Sequence, residues 1–558
     1  MILNVLILVL IVVCQGSCSS DPLVNTTLGT YRGSILRNTF QKTIFSFRGI
    51  KYAEAPIDKL RFKSPVPVKK HLEIYNATED KPLCPQPTDD PISEDCLYLN
   101  VYTSELPKDG KIHKKAVIVF LHAGGYYSGT GRSNILGPQY FLNQDIVLVT
   151  LNYRLGTLGF LSTGDKEATG NYGLKDQVAA LKWVRSNIEY FGGDKNCITL
   201  FGYSAGAMSV NLHLMSPMSK GLFHRAIIGS LSSLGQLPIG RSQLELAKRQ
   251  ARLVGCPDDT SKNIVDCLRG KSAMDLGNSL DNMFEFLNDP VLIWKPVIEE
   301  DYGQERFLTD HPIKLVLDGK FQNIPILSGI TSDEFGFRGL DLELNANMFE
   351  KLDKEWEKYA PIIFLYERHT DRSKEISKGL RSFYFGDKKL DNSTSIPLTQ
   401  IYNEGLTGFA TNRAVKILSE KSSQEVYYYR FSYRGKYSHY TSSTSNTTAY
   451  GPVHHDDLIY LFYISVLFPE FKKTDNDFRT VQKLTTMWAN FAKTGKPIPR
   501  TCGRLDYVQW EPFNLATQKY MDIGNTLKLK QRLYSERYAV WEKLFPISRY
   551  NETENISY

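Results

Sequence analysis

Gly202-Tyr203-Ser204-Ala205-Gly206 follows a short apolar run, Ile198 to Phe201, and leads into a helix-like run, Ala205 to Leu214. A serine between two glycines at this spacing, at a strand-to-helix junction, is the arrangement that lifts a hydroxyl above a sheet to act as a nucleophile. The turn is so tight that bulky side chains two residues either side of the serine would clash. The pattern alone is weak, because a chain of 558 residues has odds of roughly one in five of containing it by chance. It occurs once here, and its place between strand and helix gives it weight.

A serine hydroxyl at neutral pH needs a base, and the base needs an orienting acid. In a sheet of this kind the chain order is serine, acid, histidine. Of ten histidines, His71, His113 and His122 precede Ser204, and His213 and His224 follow it too closely. The acid belongs on the loop after a later strand. Ile324 to Leu327 is such a strand, and the loop behind it offers Asp333 and Glu334. An acid there also removes His311, and leaves His369, His439, His454 and His455. The transition-state oxyanion needs backbone N–H donors. One comes from Ala205, and others from the Gly-rich loop His122-Ala123-Gly124-Gly125 to Gly129, behind the strand Ala116 to Leu121. Loss of one such donor typically costs about 10²–10³ in rate. His454-His455-Asp456-Asp457 could also be read as metal ligands. No second motif at metal spacing accompanies them, so neither a metal nor an organic cofactor is expected.

The elements that must position these groups alternate. Ala116 to Leu121 and Ile146 to Leu151 are continuous apolar runs, as in buried parallel strands. Leu174 to Phe191 carries Val178, Leu181, Val184, Ile188 and Phe191 at helical period, and Gly192-Gly193 ends it. The Tyr-rich run Val426 to Tyr433 reads as a sheet strand. Strands alternating with helices imply an α/β fold, a mostly parallel sheet flanked by helices. With no internal repeat and no Pro/Ser-rich linker, residues 21–558 are expected to form a single domain.

The composition, 42% hydrophobic and 23% charged, is that of a globular protein. The net charge of +7 is spread without a block of like charges, so nucleic-acid binding is not expected. The densest basic stretch, Lys108 to Lys115, is broken by Asp109 and Gly110 and reads as a solvated loop. Residues 1–20 read as a secretory signal peptide. Ile2 to Val13 is apolar apart from Asn4, and small residues precede a cut near Ser20, although the leader has no Lys or Arg. No other stretch is apolar enough for a membrane anchor, and the C-terminus carries no retention signal. Sequons at Asn25, Asn76, Asn392, Asn446, Asn551 and Asn555 fit an exported, glycosylated chain. Once Cys14 and Cys18 leave with the leader, Cys84 with Cys96 and Cys256 with Cys267 bracket short loops that disulfides could close in an oxidising compartment. Cys197 opens a strand-like run and reads as a buried free thiol, with Cys502 left over. The expected location is therefore extracellular.

Longer motifs narrow the reading. Glu94 to Asn100 (EDCLYLN), Asn152 to Leu161 (NYRLGTLGFL), Gly170 to Gln177 (GNYGLKDQ) and Trp488 to Pro497 (WANFAKTGKP) resemble those of the type B carboxylesterase family, which includes the cholinesterases and the secreted esterases of arthropods. The resemblance covers most of the mature chain and implies the α/β-hydrolase fold. It makes Glu334 the acid, in G-x-x-x-D-E, and His454 the base, in G-x-x-H ahead of two acids. It implies a structural role for His122, disulfides Cys84–Cys96 and Cys256–Cys267, and Tyr126, Tyr127 and Tyr203 near the base of a gorge. There are departures. Tyr203 stands where cholinesterases have Glu and juvenile hormone esterases usually have Gln. The Cys84–Cys96 loop lacks the Trp that binds choline. Ala123 replaces one Gly of the oxyanion loop and His455 a small residue, but Gly124 and Gly125 remain. The resemblance implies a secreted serine carboxylesterase that cleaves small-molecule esters to acid and alcohol through an acyl-enzyme on Ser204. Three rivals remain: a hormone or pheromone hydrolase like juvenile hormone esterase, a slow scavenger of esters or organophosphates, and a non-catalytic adhesion protein. Nothing in the sequence sets an oligomeric state.

Overall fold

The computed structural model describes residues 21–108, 114–343, 345–440 and 450–550. The signal-peptide reading of residues 1–20, and the sequons at Asn446, Asn551 and Asn555, lie outside the described residues. Fourteen strands are described: β1 (Leu23–Thr26), β2 (Gly29–Arg32), β3 (Ser34–Arg37), β4 (Thr43–Lys51), β5 (Tyr75–Asn76), β6 (Tyr98–Thr103), β7 (Lys115–Leu121), β8 (Val147–Leu151), β9 (Gly193–Tyr203), β10 (Arg225–Gly229), β11 (Ile326–Thr331), β12 (Val426–Phe431), β13 (Lys519–Ile523) and β14 (Leu527–Gln531). Eleven of them form one sheet in the order β14-β13-β12-β11-β10-β9-β7-β8-β6-β4-β3, while β1, β2 and β5 form a small separate one. From β8 to β13 every neighbour is parallel. Antiparallel strands flank this run, β6, β4 and β3 at one edge and β14 at the other.

The continuous apolar runs are explained by burial on both faces. In β7, Val117, Val119 and Leu121 face one hydrophobic layer, and Ile118 and Phe120 face the other. In β8, Val147, Val149 and Leu151 alternate with Leu148 in the same way. The helices Tyr172–Asn187 and Ala205–Met215 cover the first layer through Val178, Leu181, Val184, Val210 and Leu212. Helix Asn476–Thr494 covers the second through Val481, Leu484, Met487 and Trp488. Each such side chain contributes about 1.5–3 kcal/mol of burial.

Several boundaries differ from the sequence reading for local reasons. The helix from Tyr172 stops at Asn187, tightens to a 3₁₀ turn over Ile188–Phe191 and closes on Gly192 at φ 85°. Gly193 already belongs to β9, which is therefore longer than Ile198 to Phe201. The strand expected at Ile324 to Leu327 begins at Ile326, because Pro325 has no N–H to give the ladder. It then continues through Ser328, Gly329, Ile330 and Thr331. Ser328 Oγ donates to the Ile228 carbonyl at 2.9 Å, and Gly329 lies flat against the Tyr429 ring, where a methyl group would come within 2.3 Å. This extension carries the candidate acids to the end of the sheet. β12 stops at Phe431, short of Tyr433.

Cys84–Cys96 and Cys256–Cys267 are disulfide-bonded. Cys197 and Cys502 are free. The expectation of a buried Cys197 is corrected, since it is half-buried at a polar spot with Arg225 Nη1 3.2 Å from its sulfur. Asn25, Asn76 and Asn392 are exposed. Among the described residues no helix is long and apolar enough to cross a membrane.

Candidate active site

β9 runs straight into Ser204, which adopts φ 55° and ψ −121°, a conformation costly for any residue with a side chain. The neighbouring strand holds it there, for Ser204 N donates to the Gly229 carbonyl at 2.8 Å. The two glycines are sterically required. A methyl at Gly202 would come within 2.1 Å of the Gly206 carbonyl oxygen, and one at Gly206 within 2.1 Å of the Leu121 carbonyl oxygen. Ser204 itself keeps 8% of its surface exposed. Ala205 opens the following helix, so its N–H has no acceptor in a preceding turn, and the positive end of the helix dipole lies beside the serine.

The loop after β7 supplies the other donors. Gly124 and Gly125 sit at φ 113° and φ 58°, and their N–H groups make no backbone hydrogen bond among the described residues. The Gly124 carbonyl instead accepts from the N–H groups of Tyr127 and Ser128, which folds the loop back on itself. His122 stacks on Tyr153 at 4.3 Å between ring centroids, and its Nδ1 lies 2.7 Å from the Ala123 carbonyl. Burial pushes its pKa down to about 4, so it is a neutral, packed ring.

The two acids left open by spacing diverge. Asp333 turns away, accepting from Asn403 Nδ2 at 2.9 Å and from the Gly451 N–H at 3.2 Å, and burial raises its pKa to about 6. Glu334 is buried and faces His454, with Oε2 2.5 Å from Nδ1. A carboxylate only accepts, so Nδ1 carries the proton and Nε2 is left with a lone pair. Nε2 is buried, with no hydrogen-bond partner among the described residues. Two further donors fix Glu334 Oε1, Ser230 Oγ at 2.6 Å and the Thr331 N–H at 2.7 Å. The backbone closes the pair from the other side, as His454 N donates to the Glu334 carbonyl at 2.9 Å. Phe335 lies 4.3 Å from the His454 ring. Sequence reasoning missed Ser230, Thr331, Phe335 and Asn403. Only the position of Ser230, just beyond β10 at the same end of the sheet as Ser204, carried a signal.

The acids and histidines after Gly451 do not converge. Asp456 accepts from the N–H groups of His439 and Val453 and from Ser438 Oγ, all within 2.9 Å. Asp457 accepts from Tyr429 OH at 3.3 Å. Both carboxyls are pushed up to about 7, mainly by burial; the negative charge of Glu334 adds to each. His455 packs its ring 4.1 Å from His454, and burial lowers its pKa well below the usual histidine range. Tyr126 and Tyr203 are fully buried. Tyr126 approaches Ser209 Oγ at 3.1 Å behind the loop. Tyr203 packs under His454 and His455, its hydroxyl 2.8 Å from Ser230 Oγ and accepting from the His455 N–H at 3.2 Å. Tyr127 is half-buried and meets Phe284 edge-on.

A strained serine, a run of free N–H groups and a glutamate-held imidazole at one end of a parallel sheet are the parts of an acyl-transfer centre. The model of the Carboxylesterase family matches residues 20–541. The chain belongs to the carboxylesterase family. It is 38% identical to Esterase E4 of Myzus persicae over 86% of this chain and 88% of that one. It is 37% identical to the juvenile hormone esterase of Tribolium castaneum over 94% of each. Among solved structures, the juvenile hormone esterase of Manduca sexta with OTFP covalently attached is similar at a TM-score of 0.83 and 27% identity, across 94% of this chain and all of that one. The fold of this carboxylesterase is the α/β-hydrolase fold, and its activity is hydrolysis of carboxylic esters.

Proposed function

We propose that Ser204 is the nucleophile, His454 the general base and acid, and Glu334 the group that orients the imidazole, with the N–H groups of Gly124, Gly125 and Ala205 as the oxyanion hole. The observation that carries this reading is the buried Glu334–His454 pair at 2.5 Å, joined by its backbone, with the His454 ring centroid 5.2 Å from that of Tyr203, the residue before the strained Ser204. His454 Nε2 takes the serine proton as Oγ attacks the ester carbonyl. The C–O bond of the tetrahedral adduct then breaks, and the departing alkoxide takes that proton to leave as alcohol. Water, deprotonated by the same nitrogen, attacks the acyl-enzyme, and Oγ recovers the proton as the acid leaves. Developing charge on the carbonyl oxygen meets preorganised N–H donors rather than reorienting water.

The chain acts as an exported, N-glycosylated enzyme in this reading, supported by the two disulfides and the exposed Asn25, Asn76 and Asn392. A second reading for the substrate, an insect hormone ester, is favoured by the similarity to two proteins named juvenile hormone esterase. Pre-steady-state hydrolysis of a chromogenic short-chain ester tests the chemistry. The expected result is a burst followed by sustained turnover, both absent in Ser204→Ala. A burst without turnover makes the protein a stoichiometric scavenger, and no burst in folded protein contradicts the proposal.

A further inference from the structure

A cavity of about 480 Å³ opens behind the segment 290–293 and has none of the candidate catalytic groups in its lining. Its size falls within the range of small-molecule sites. Part of its wall is aliphatic, with Leu237, Met283, Leu292, Ile293, Pro361 and Leu365 all buried yet facing the space. The oxyanion loop lies on the other side of the same segment, since a methyl at Gly125 would come within 2.6 Å of the Val291 carbonyl oxygen. The cavity is therefore separated from that loop by one thickness of chain.

Most charged groups in this lining have an ion-pair partner. Arg249 and Arg368 share Glu285, at 3.8 Å and 2.8 Å. Glu245 is paired with Lys248, and Glu367 with Arg372 and Arg549. Lys295 is half-buried in the wall, and its ammonium has no ion-pair or hydrogen-bond partner among the described residues. Its backbone is fixed by Gln243 through two hydrogen bonds, at 2.8 Å and 3.0 Å, so the side chain is presented from a rigid base. Burial, with Arg368 adding to the push, brings its pKa down to about 8, which still leaves it charged at neutral pH. A half-buried ammonium without a counter-ion at the wall of a cavity can make a charge-assisted hydrogen bond to an anionic ligand.

We propose that this cavity is a binding site for an aliphatic carboxylate, with the chain against the Leu, Ile and Met walls and the carboxylate on Lys295. Aliphatic walls select against a compact hydrophilic anion, and the lone ammonium selects against an uncharged amphiphile of the same length. The inference does not depend on the assignment of Ser204, because none of the candidate catalytic groups lines this cavity.

Titration calorimetry of the glycosylated, disulfide-intact protein with decanoate tests it, beside decanol and acetate and in Lys295→Met and Lys295→Arg. The wild type should take up one decanoate equivalent that Lys295→Met binds at least tenfold more weakly. Lys295→Arg should retain it, decanol should bind wild type and Lys295→Met alike, and acetate should bind neither. Equal decanoate binding by wild type and Lys295→Met, or no decanoate binding at all, would overturn the proposal. A Lys295→Arg variant that folds and loses the site would overturn it too, since charge is then not what the ligand reads.

Discussion

Ser230 contributes more to the proposed triad than its sequence context suggests. It gives Glu334 Oε1 a hydrogen bond of 2.6 Å inside the protein, and Tyr203 supports it from beneath at 2.8 Å. A lost hydrogen bond to a buried charged group costs about 1–3 kcal/mol. Ser230→Ala is therefore expected to lower kcat about 10–100-fold while KM hardly moves, read from steady-state kinetics on one ester. Glu334→Gln is expected to fall further, about 10⁴-fold in kcat, because an amide cannot hold the imidazolium and allows the wrong tautomer. Of these residues, Ser204, Ala205 and the Gly-rich loop that holds Gly124 and Gly125 were proposed from type and spacing alone. The choice of Glu334 over Asp333, and of His454 over His369, His439 and His455, was not. Spacing says only that both acids sit on one loop. Which one turns toward the histidine is set by Asn403 and Gly451 capturing Asp333, contacts made by segments 70 and 118 residues away.

At the scale of the element, the turn between β9 and the helix Ala205–Met215 is where local chemistry dictates most. Gly202→Ala drives a methyl into the Gly206 carbonyl, with no flexible neighbour to yield. The expected outcome is a large fall in Tm together with loss of the burst. Gly255→Ala is the matched control. It also sits at positive φ, 66°, but nothing lies within 4 Å of the added methyl. It should cost about 1–2 kcal/mol of backbone strain and leave turnover intact. Equal effects of the two would show that the Gly202 turn is not sterically constrained. The strands β7, β8 and β9 were readable because burial on both faces leaves a continuous apolar run. β11 was only half readable, for its Ser328-Gly329 stretch looks like a loop until the Tyr429 ring and the Ile228 carbonyl are in place. Periodicity has no access to partners that arrive from other strands.

At the scale of the molecule, buried titratable groups pull stability in opposite directions with pH. His213 is packed between Ser219 and Gln177, and burial lowers its pKa from 6.5 to about 3. Between those values the unfolded chain binds a proton that the folded one does not. Stability is thus lost as the pH falls through that window, by up to about 1.4 kcal/mol per unit. Asp456 and Asp457, held protonated up to about pH 7, act with the other sign and cost stability as the pH rises from 3.8 toward 7. The difference in unfolding free energy between wild type and His213→Gln should shrink as the pH falls from 6.5 toward 3. A constant difference would mean that His213 is charged in the fold. The Cys256–Cys267 bridge closes a short loop, and Cys256→Ser with Cys267→Ser is expected to cost about 3 kcal/mol in denaturant unfolding, without loss of kcat. The parallel α/β architecture was legible from the alternation of strands and helices. The strand order, with antiparallel additions at both edges, depends on pairings between distant segments and was not.

The central claim is that Ser204 is the one activated nucleophile. Its most direct test is intact-protein and peptide mass spectrometry after brief exposure to one equivalent of a fluorophosphonate. The expected result is a single adduct on the peptide that contains Ser204, formed at a rate that falls in His454→Ala and absent in Ser204→Ala. A folded protein that takes up no adduct, or carries it on any other residue, would contradict the account.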